Sequence, residues 1–418
     1  MNKFICVDIP GSKSISNRAL ILAALSNKKV TLNNFLFSDD TLFMIDALRK
    51  LGNKIEVDRE TSTVTISGNK SRNFGKQELY IGNAGTAMRF LGCYIATGKG
   101  EIVLNGNKRM QERPIKDLVD ALSSMGIKIE YLQNEGYPPI KIYAEGIKNY
   151  SAQLDCSRSS QYLSSFLLSA PSFNNEFNVE ILGNIVSKPY IEMSLKMVKQ
   201  VGGKIEKTPN GFKTFPSTYN FDSYTIEGDM SSASYFLAMA LIGNMRIRIN
   251  NFFKHSLQGD RAMLNILQEI GLKIIVEEEK YIVVEGIEKY PGFNLNLNDT
   301  PDIAQTLAAV ALFATSPSEI RDVENMRIKE TDRIKALNNE ITKLGGEFIE
   351  FSDGFKIIPK PTEEYHGCEI ETYDDHRMAM SLALTSIRIP GIKILNPECV
   401  SKTFPDFFTQ FKKGGFQC

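Results

Sequence analysis

The sequence predicts an α/β (α+β) protein of two closed domains, each built from three repeated units in which buried helices are surrounded by sheets. Three observations carry this expectation: the length, an amphipathic helix that recurs along the whole chain and stops on Gly, and a second helix type with no polar face. At 418 residues the chain exceeds one ordinary core, and roughly 100–200 residues per domain makes two or three domains the expectation.

The amphipathic pattern reads Ile45-Asp-Ala-Leu-Arg-Lys-Leu-Gly52 followed by Lys54-Ile-Glu-Val57, then Val119-Asp-Ala-Leu-Ser-Ser-Met-Gly126 followed by Lys128-Ile-Glu-Tyr131. Further copies end at Gly202, Gly271 and Gly345, with a truncated one at Gly414, at steps of 74, 76, 69, 74 and 69 residues. Apolar positions such as Leu118, Ala121, Leu122 and Met125 fall at helical spacing. Gly at each end suits a left-handed cap, and the alternation after it suits a strand with one face on a core. The second type is apolar and small on all sides: Ala19–Leu25, Phe90–Ala96, Tyr162–Leu168, Tyr235–Ile242, Ala304–Phe313 and Met378–Leu384. A helix without a polar face belongs inside a domain. Strand-like runs after these helices close on Asn34, Asn107, Asn184, Asn251, Asn325 and Asn396. The chain therefore reads as six units of about 70 residues. An open solenoid would give each unit one amphipathic surface, whereas alternating buried and half-exposed elements favour closed domains of three units each.

Lys+Arg and Asp+Glu both number 49, for a formal charge of +0. No global footprint for nucleic acid or an acidic membrane surface results, so any anion site must be built locally. The N-terminal apolar run breaks at Asp8 and Pro10, unlike a secretory signal, and no stretch is apolar enough to span a bilayer. Six scattered cysteines without a C-x-x-C fit a reduced, cytoplasmic setting. His255 and His366 lack ligand-type partners at metal spacing, and His376 sits beside Arg377, so no metal is expected. Cys93 and Cys156 have no flanking His and read as inert.

The polar residues that could do chemistry gather at helix starts, where free N–H groups and the helix dipole favour anions. Pro10-Gly-Ser-Lys-Ser-Ile-Ser-Asn-Arg18, Gly82-Asn-Ala-Gly-Thr-Ala-Met-Arg89, Arg158–Gln161, Glu227–Ser232, Asp299–Asp302 and Asp374–Arg377 open the buried helices. Glu112-Arg-Pro114, Ser187–Tyr190, Lys329–Arg333 and Lys402–Pro405 open amphipathic ones. Taken singly, each is also what ordinary capping or a Pro at the first helical position requires. Taken together, several such termini with Arg and Lys suit a polyanionic small molecule. A nucleotide loop is excluded, because Val7 and Ser12 occupy the glycine positions of G-x-x-x-x-G-K-[ST]. Asp302 and Glu330 stand out as acids at termini otherwise built for anions.

These blocks, with Arg327-Ile-Lys-Glu-Thr-Asp-Arg333, Asp375-His-Arg-Met-Ala-Met380 and Lys402-Thr-Phe-Pro-Asp406, closely resemble the 5-enolpyruvylshikimate-3-phosphate synthase family of enolpyruvyl transferases, in the family's order from residue 10 to residue 406. The resemblance implies two domains of three βαβαββ repeats, residues 1–12 with 229–418 and residues 13–228, with crossings near Lys13 and Asp229. It also implies an active site in the interdomain cleft that closes over substrate. The implied reaction moves the enolpyruvyl group of phosphoenolpyruvate to the 5-hydroxyl of shikimate 3-phosphate and releases phosphate, as the sixth step of chorismate and aromatic amino acid biosynthesis. No cofactor is implied, and a monomer is expected.

By position, the resemblance gives Lys13, Ser14, Arg18, Ser159, Ser160, Gln161, Ser187, Tyr190, Asp302, Asn325 and Lys329 to shikimate 3-phosphate. It gives Lys13, Asn83, Gly85, Arg113, Gln161, Arg333, Arg377 and Lys402 to phosphoenolpyruvate, with Thr86 and Arg89 shaping that loop. Asp302 is implied as the base at the 5-hydroxyl, and Glu330, helped by Lys13, as the proton-transfer group at the methylene. Two departures stand out: Phe90 follows Arg89 where many relatives carry Pro, and Asp299-Thr-Pro301 replaces a His-containing run. Gly85 matches the pattern of glyphosate-sensitive members. Two alternatives are a sister transferase acting on UDP-N-acetylglucosamine and a non-catalytic repeat binding protein. The sister family carries Lys-Asn in place of Lys13-Ser14 and a loop Cys near Arg113, where Lys108–Pro114 has none.

Overall fold

In the computed structural model, which describes residues 4–416 and 418, the chain divides into two units, Ser12–Ile226 and Met1–Gly11 with Glu227–Cys418. Secondary structure is mixed α/β in several small sheets. The first unit contains helices α1 (Lys13–Leu25), α2 (Asp39–Lys50), α3 (Gly85–Ala96), α4 (Lys116–Ser124), α5 (Ser160–Ser169) and α6 (Lys188–Gln200). The second contains α7 (Met230–Ile242), α8 (Ala262–Glu269), α9 (Ala304–Ala311), α10 (Arg333–Lys343), α11 (His376–Ala383) and α12 (Phe407–Lys412).

The odd-numbered helices are the apolar ones. Every residue of α3, α9 and α11 is buried, and so is every residue of α7 except Ser231. In the 12–226 unit α1, α3 and α5 pack on one another, and in the 227–418 unit α9 packs on both α7 and α11. Small side chains let these backbones approach, and their hydroxyls must then find partners inside the core. Ser234, Thr306 and Ser381 form a relay across α7, α9 and α11, at 3.2 and 3.3 Å. Cys93 and Ser165 join α3 to α5 at 3.0 Å. Burial pushes the Cys93 thiol up to about 12, which removes thiolate reactivity there.

The even-numbered helices lie outside this core, with buried stripes such as Leu118, Val119, Ala121 and Leu122 on α4. Each of the first five caps ends on a left-handed Gly: φ is 86° at Gly52, 88° at Gly126, 97° at Gly202, 120° at Gly271 and 87° at Gly345. Gly52 shows why, since only Gly adopts that φ without a Cβ penalty. In the last copy the left-handed residue is Gly415 and not the expected Gly414.

Among the described residues, five of the six sheets have four strands in one repeating pattern: a parallel pair, then two antiparallel neighbours. The sheet holding Lys29–Asn33 takes its parallel edge from Ser223–Thr225, the other end of the same unit. Likewise Phe4–Asp8 pairs with Arg246–Asn250 in the second unit. The first pairing joins the two ends of the 12–226 unit, so its three repeats close on themselves, and the second ties the N-terminal segment to the first strand of the 227–418 segment. The sixth sheet is reduced to Glu369–Ile370 beside Lys393–Ile394. Of the closing Asn residues, Asn34, Asn251 and Asn396 take left-handed φ, whereas Asn325 lies in a 3-10 turn, Glu324–Ile328, after its strand. No helix among the described residues is long and apolar enough to cross a membrane.

Candidate active site

In the 12–226 unit, Ser12 caps α1 by accepting from the Ile15 N–H at 3.4 Å. Lys13 is therefore the first helical residue. Its Nζ lies 3.3 Å from Asp40 near the start of α2, a carboxylate only 4% exposed. Arg18, one turn on, is 2% exposed. Its guanidinium donates to Ser194 Oγ at 2.8 Å, Ser14 O at 2.9 Å, Tyr190 O at 3.1 Å and Ser164 Oγ at 3.3 Å. The Phe90 and Tyr190 rings lie 5.2 and 5.8 Å from it. Among the described residues none of its partners is a carboxylate, and burial pushes its pKa down to about 10.

The Gly82–Arg89 stretch forms a second cationic corner. Arg113 donates to Asn83 O at 3.3 Å and Asn83 Oδ1 at 3.1 Å. A Cβ on Gly85 would sit 2.6 Å from an Arg113 terminal nitrogen, so Gly is required for this close approach. Arg89 donates to Gly85 O at 3.3 Å and Pro114 O at 2.8 Å, fixing the loop from behind. Gln161 Nε2 reaches Thr86 Oγ1 at 3.3 Å. Ser159 caps α5, Ser160 is buried beside it, and Ser187 is buried with a left-handed φ of 53° at the start of α6.

In the 227–418 unit the predicted residues form one ion-pair network. Arg333, at the first position of α10 and 1% exposed, contacts Asp302 at 3.2 Å, Glu330 at 2.9 Å and Asp375 at 2.7 Å. Burial works against its charge, but Asp375, Glu330 and Asp302 more than offset that and hold its pKa above the ordinary arginine value. Arg377 donates to Asp302 Oδ2 and to Asp302 O, both at 3.0 Å. Lys402 lies 3.7 Å from Glu330. Asp302 sits in a 3-10 turn, Pro301–Ile303, leading into α9, where Pro at the first position costs no hydrogen bond. Asn325 is 9% exposed, and among the described residues its Oδ1 has no hydrogen-bond partner. Lys329 is half-buried just beyond that turn.

Within the 12–226 unit the geometry thus gathers Asn83, Gly85, Thr86, Arg89, Arg113 and Gln161, and separately Ser14, Arg18 and Tyr190. Within the 227–418 unit it gathers Asp302, Glu330, Arg333, Arg377 and Lys402. Five participants carried no role in the sequence reading: Asp40, Phe90, Asp375, Ser231 and Asp260. Asp375 could have been found as the capping residue of α11, which accepts from the Arg377 N–H at 2.8 Å. Nothing in the local sequence marks Asp260 as a neighbour of Asp302.

Comparison with known proteins finds matches that span nearly the whole chain. The EPSP synthase (3-phosphoshikimate 1-carboxyvinyltransferase) family model matches residues 6–411. The 3-phosphoshikimate 1-carboxyvinyltransferase of Vibrio vulnificus (strain YJ016) is 43% identical over 410 residues, covering 96% of this chain and 94% of that one. The enzyme of that name from Actinobacillus pleuropneumoniae serotype 5b (strain L20) is 41% identical over 417 residues, covering 97% and 95%. The fold matches a solved EPSP synthase from Acinetobacter baumannii with a TM-score of 0.80 at 24% identity, over all of this chain and 96% of that one. The chain belongs to the EPSP synthase (3-phosphoshikimate 1-carboxyvinyltransferase) family.

Proposed function

We propose that this chain transfers the enolpyruvyl group of phosphoenolpyruvate to the 5-hydroxyl of shikimate 3-phosphate and releases inorganic phosphate. The observation that carries this reading is the buried network of Arg333, Arg377 and Lys402 with Asp302 and Glu330, in a chain of this family. Both substrates are anions. Arg18, Ser14, Ser159, Ser160, Gln161, Ser187, Tyr190, Asn325 and Lys329 hold shikimate 3-phosphate. The unpartnered Asn325 Oδ1 is an acceptor suited to a ring hydroxyl, since a buried acceptor without a donor is costly. Lys13, Asn83, Gly85, Arg113, Gln161, Arg333, Arg377 and Lys402 hold phosphoenolpyruvate, with Arg forks matched to carboxylate and phosphate.

The reaction adds a proton to the methylene carbon while the 5-hydroxyl oxygen bonds to the adjacent carbon and gives up its proton. The resulting methyl then loses a proton as the C–O bond to phosphate breaks. Asp302 accepts the hydroxyl proton, and Glu330, beside Lys402 and assisted by Lys13, serves the methylene. An anion arriving on Arg333 and Arg377 competes for N–H groups that now point at Asp302, leaving a carboxylate oxygen free to take that proton. Asp302→Asn is expected to lower turnover by about two to four orders of magnitude, the usual scale of general base catalysis, with smaller changes in binding.

The direct test is phosphate release from phosphoenolpyruvate offered shikimate 3-phosphate or UDP-N-acetylglucosamine in parallel. Release with shikimate 3-phosphate alone supports the proposal. Release with the sugar nucleotide, or with neither, contradicts it. Glyphosate is expected to inhibit in competition with phosphoenolpyruvate, because Gly85 carries no side chain that would crowd the inhibitor.

A further inference from the structure

We infer that Asp260 and Ser231 are positioning residues for Arg377 and, through it, for Asp302. This deepens the enolpyruvyl-transfer reading and rests on it. Asp260 lies in a 3-10 turn, Gly259–Arg261, ahead of α8 and is 2% exposed. Its Oδ2 accepts a hydrogen bond from the Ser231 hydroxyl. A serine hydroxyl has one proton and two lone pairs. With the proton given to Asp260, Ser231 can only accept from its other neighbour, the Arg377 terminal nitrogen at 3.3 Å. That same nitrogen donates to Asp302 Oδ2 at 3.0 Å. One guanidinium N–H2 is thereby held between a hydroxyl whose polarity Asp260 sets and the carboxylate assigned as base.

The charged groups that bear on Asp260 come from three other elements. Asp302 faces it from the Pro301–Ile303 turn, Arg377 from α11 and Asp229 from the cap of α7. On its own turn, Arg261 is engaged with Glu277 at 2.5 Å. Burial first, and then the like charge of Asp302, push the Asp260 carboxyl up to about 6, with Arg377 and the Ser231 hydrogen bond opposing. The charge of Asp302 therefore bears on the titration of Asp260, and the acid limb of the pH–rate profile carries that titration. When Asp260 takes a proton it no longer fixes the direction of the Ser231 hydroxyl.

The test is the pH dependence of kcat and of kcat/KM for phosphoenolpyruvate in Asp260→Asn, Ser231→Ala and Asp302→Asn, with melting temperatures alongside. Asp260→Asn is expected to lower kcat about 5- to 30-fold at neutral pH and to move the acid limb down by about half a pH unit or more, because one of two like charges is gone. Ser231→Ala keeps both carboxylates, so its acid limb should stay near wild type. Its KM for phosphoenolpyruvate should rise about 3- to 10-fold, as for loss of one ordinary hydrogen bond behind Arg377. Ser231→Ala carries the test alone should Asp260→Asn fail to fold. An unshifted acid limb in Asp260→Asn, whatever its melting temperature, or a wild-type KM in Ser231→Ala, would overturn the assignment. If Asp302→Asn keeps wild-type turnover, the reading of the reaction fails instead; if it loses turnover while the Asp260→Asn limb is unmoved, only the positioning role is lost.

Discussion

The two units treat buried arginine in opposite ways. In the 12–226 unit Arg18 and Arg113 are 2% and 6% exposed, yet among the described residues they donate to hydroxyls, an amide and backbone carbonyls, not to carboxylates. In the 227–418 unit Arg333 and Arg377 are as deeply buried but are tied to Asp302, Glu330 and Asp375. A desolvated guanidinium facing only neutral groups stores attraction for an incoming anion, as the lowered pKa of Arg18 records. A guanidinium already paired holds acids in place instead. On the proposed function, the first unit supplies cations that wait for an anion, and the second supplies cations that also hold the acids of the proton chemistry.

The largest expected effect that would break this contrast is on stability. Arg333→Met leaves three carboxylates short of a partner and should cost about 3–5 kcal/mol in denaturant unfolding, the range for breaking a buried pair. Arg18→Met removes a desolvated cation whose neutral partners can be re-satisfied more cheaply, so it should cost far less or even stabilise. Equal losses in the two variants would erase the distinction.

A second test follows from Asp260. Its folded pKa, about 6, is raised above the ordinary 3.8. Its contribution to stability is therefore fully present below the unfolded value and is lost as pH rises through about 6. Asp260→Asn removes that dependence, so between about pH 4 and pH 7 the variant should gain on wild type by up to about 3 kcal/mol. A difference independent of pH would contradict the shift.

The smallest effect concerns the Gly85 corner. In Gly85→Ala a methyl placed 2.6 Å from Arg113 forces the guanidinium aside. KM for phosphoenolpyruvate should rise about 3- to 10-fold, as for one weakened charge-assisted hydrogen bond, with kcat little changed. Glyphosate inhibition should weaken by more, and unchanged constants would show that the corner gives way without consequence.

Much of the fold was legible because its repeats are periodic. The Gly that ends each amphipathic helix and the unbroken apolar helices are local signals, and both follow from the chain's own spacing. The last repeat was harder to read: its cap shifts to Gly415 and its sheet shrinks to two short strands. Site residues at helix starts could be named because free N–H groups mark such places. Their partners could not. Asp40 meets Lys13 from the next helix, the Phe90 ring reaches Arg18 from α3, and Asp260 reaches Asp302 from another repeat. These are packing facts between segments far apart in sequence, and local pattern carries no trace of them.

The most direct measurement is calorimetric titration of shikimate 3-phosphate into Arg18→Met and Asp302→Asn, with turnover measured on the same preparations. Arg18→Met is predicted to bind about 10- to 100-fold more weakly, the worth of charge-assisted hydrogen bonds. Asp302→Asn is predicted to bind within a few-fold of wild type while losing about two to four orders of magnitude in turnover. Wild-type binding in Arg18→Met, or binding lost in Asp302→Asn in proportion to its turnover, would contradict the division of labour between the two units.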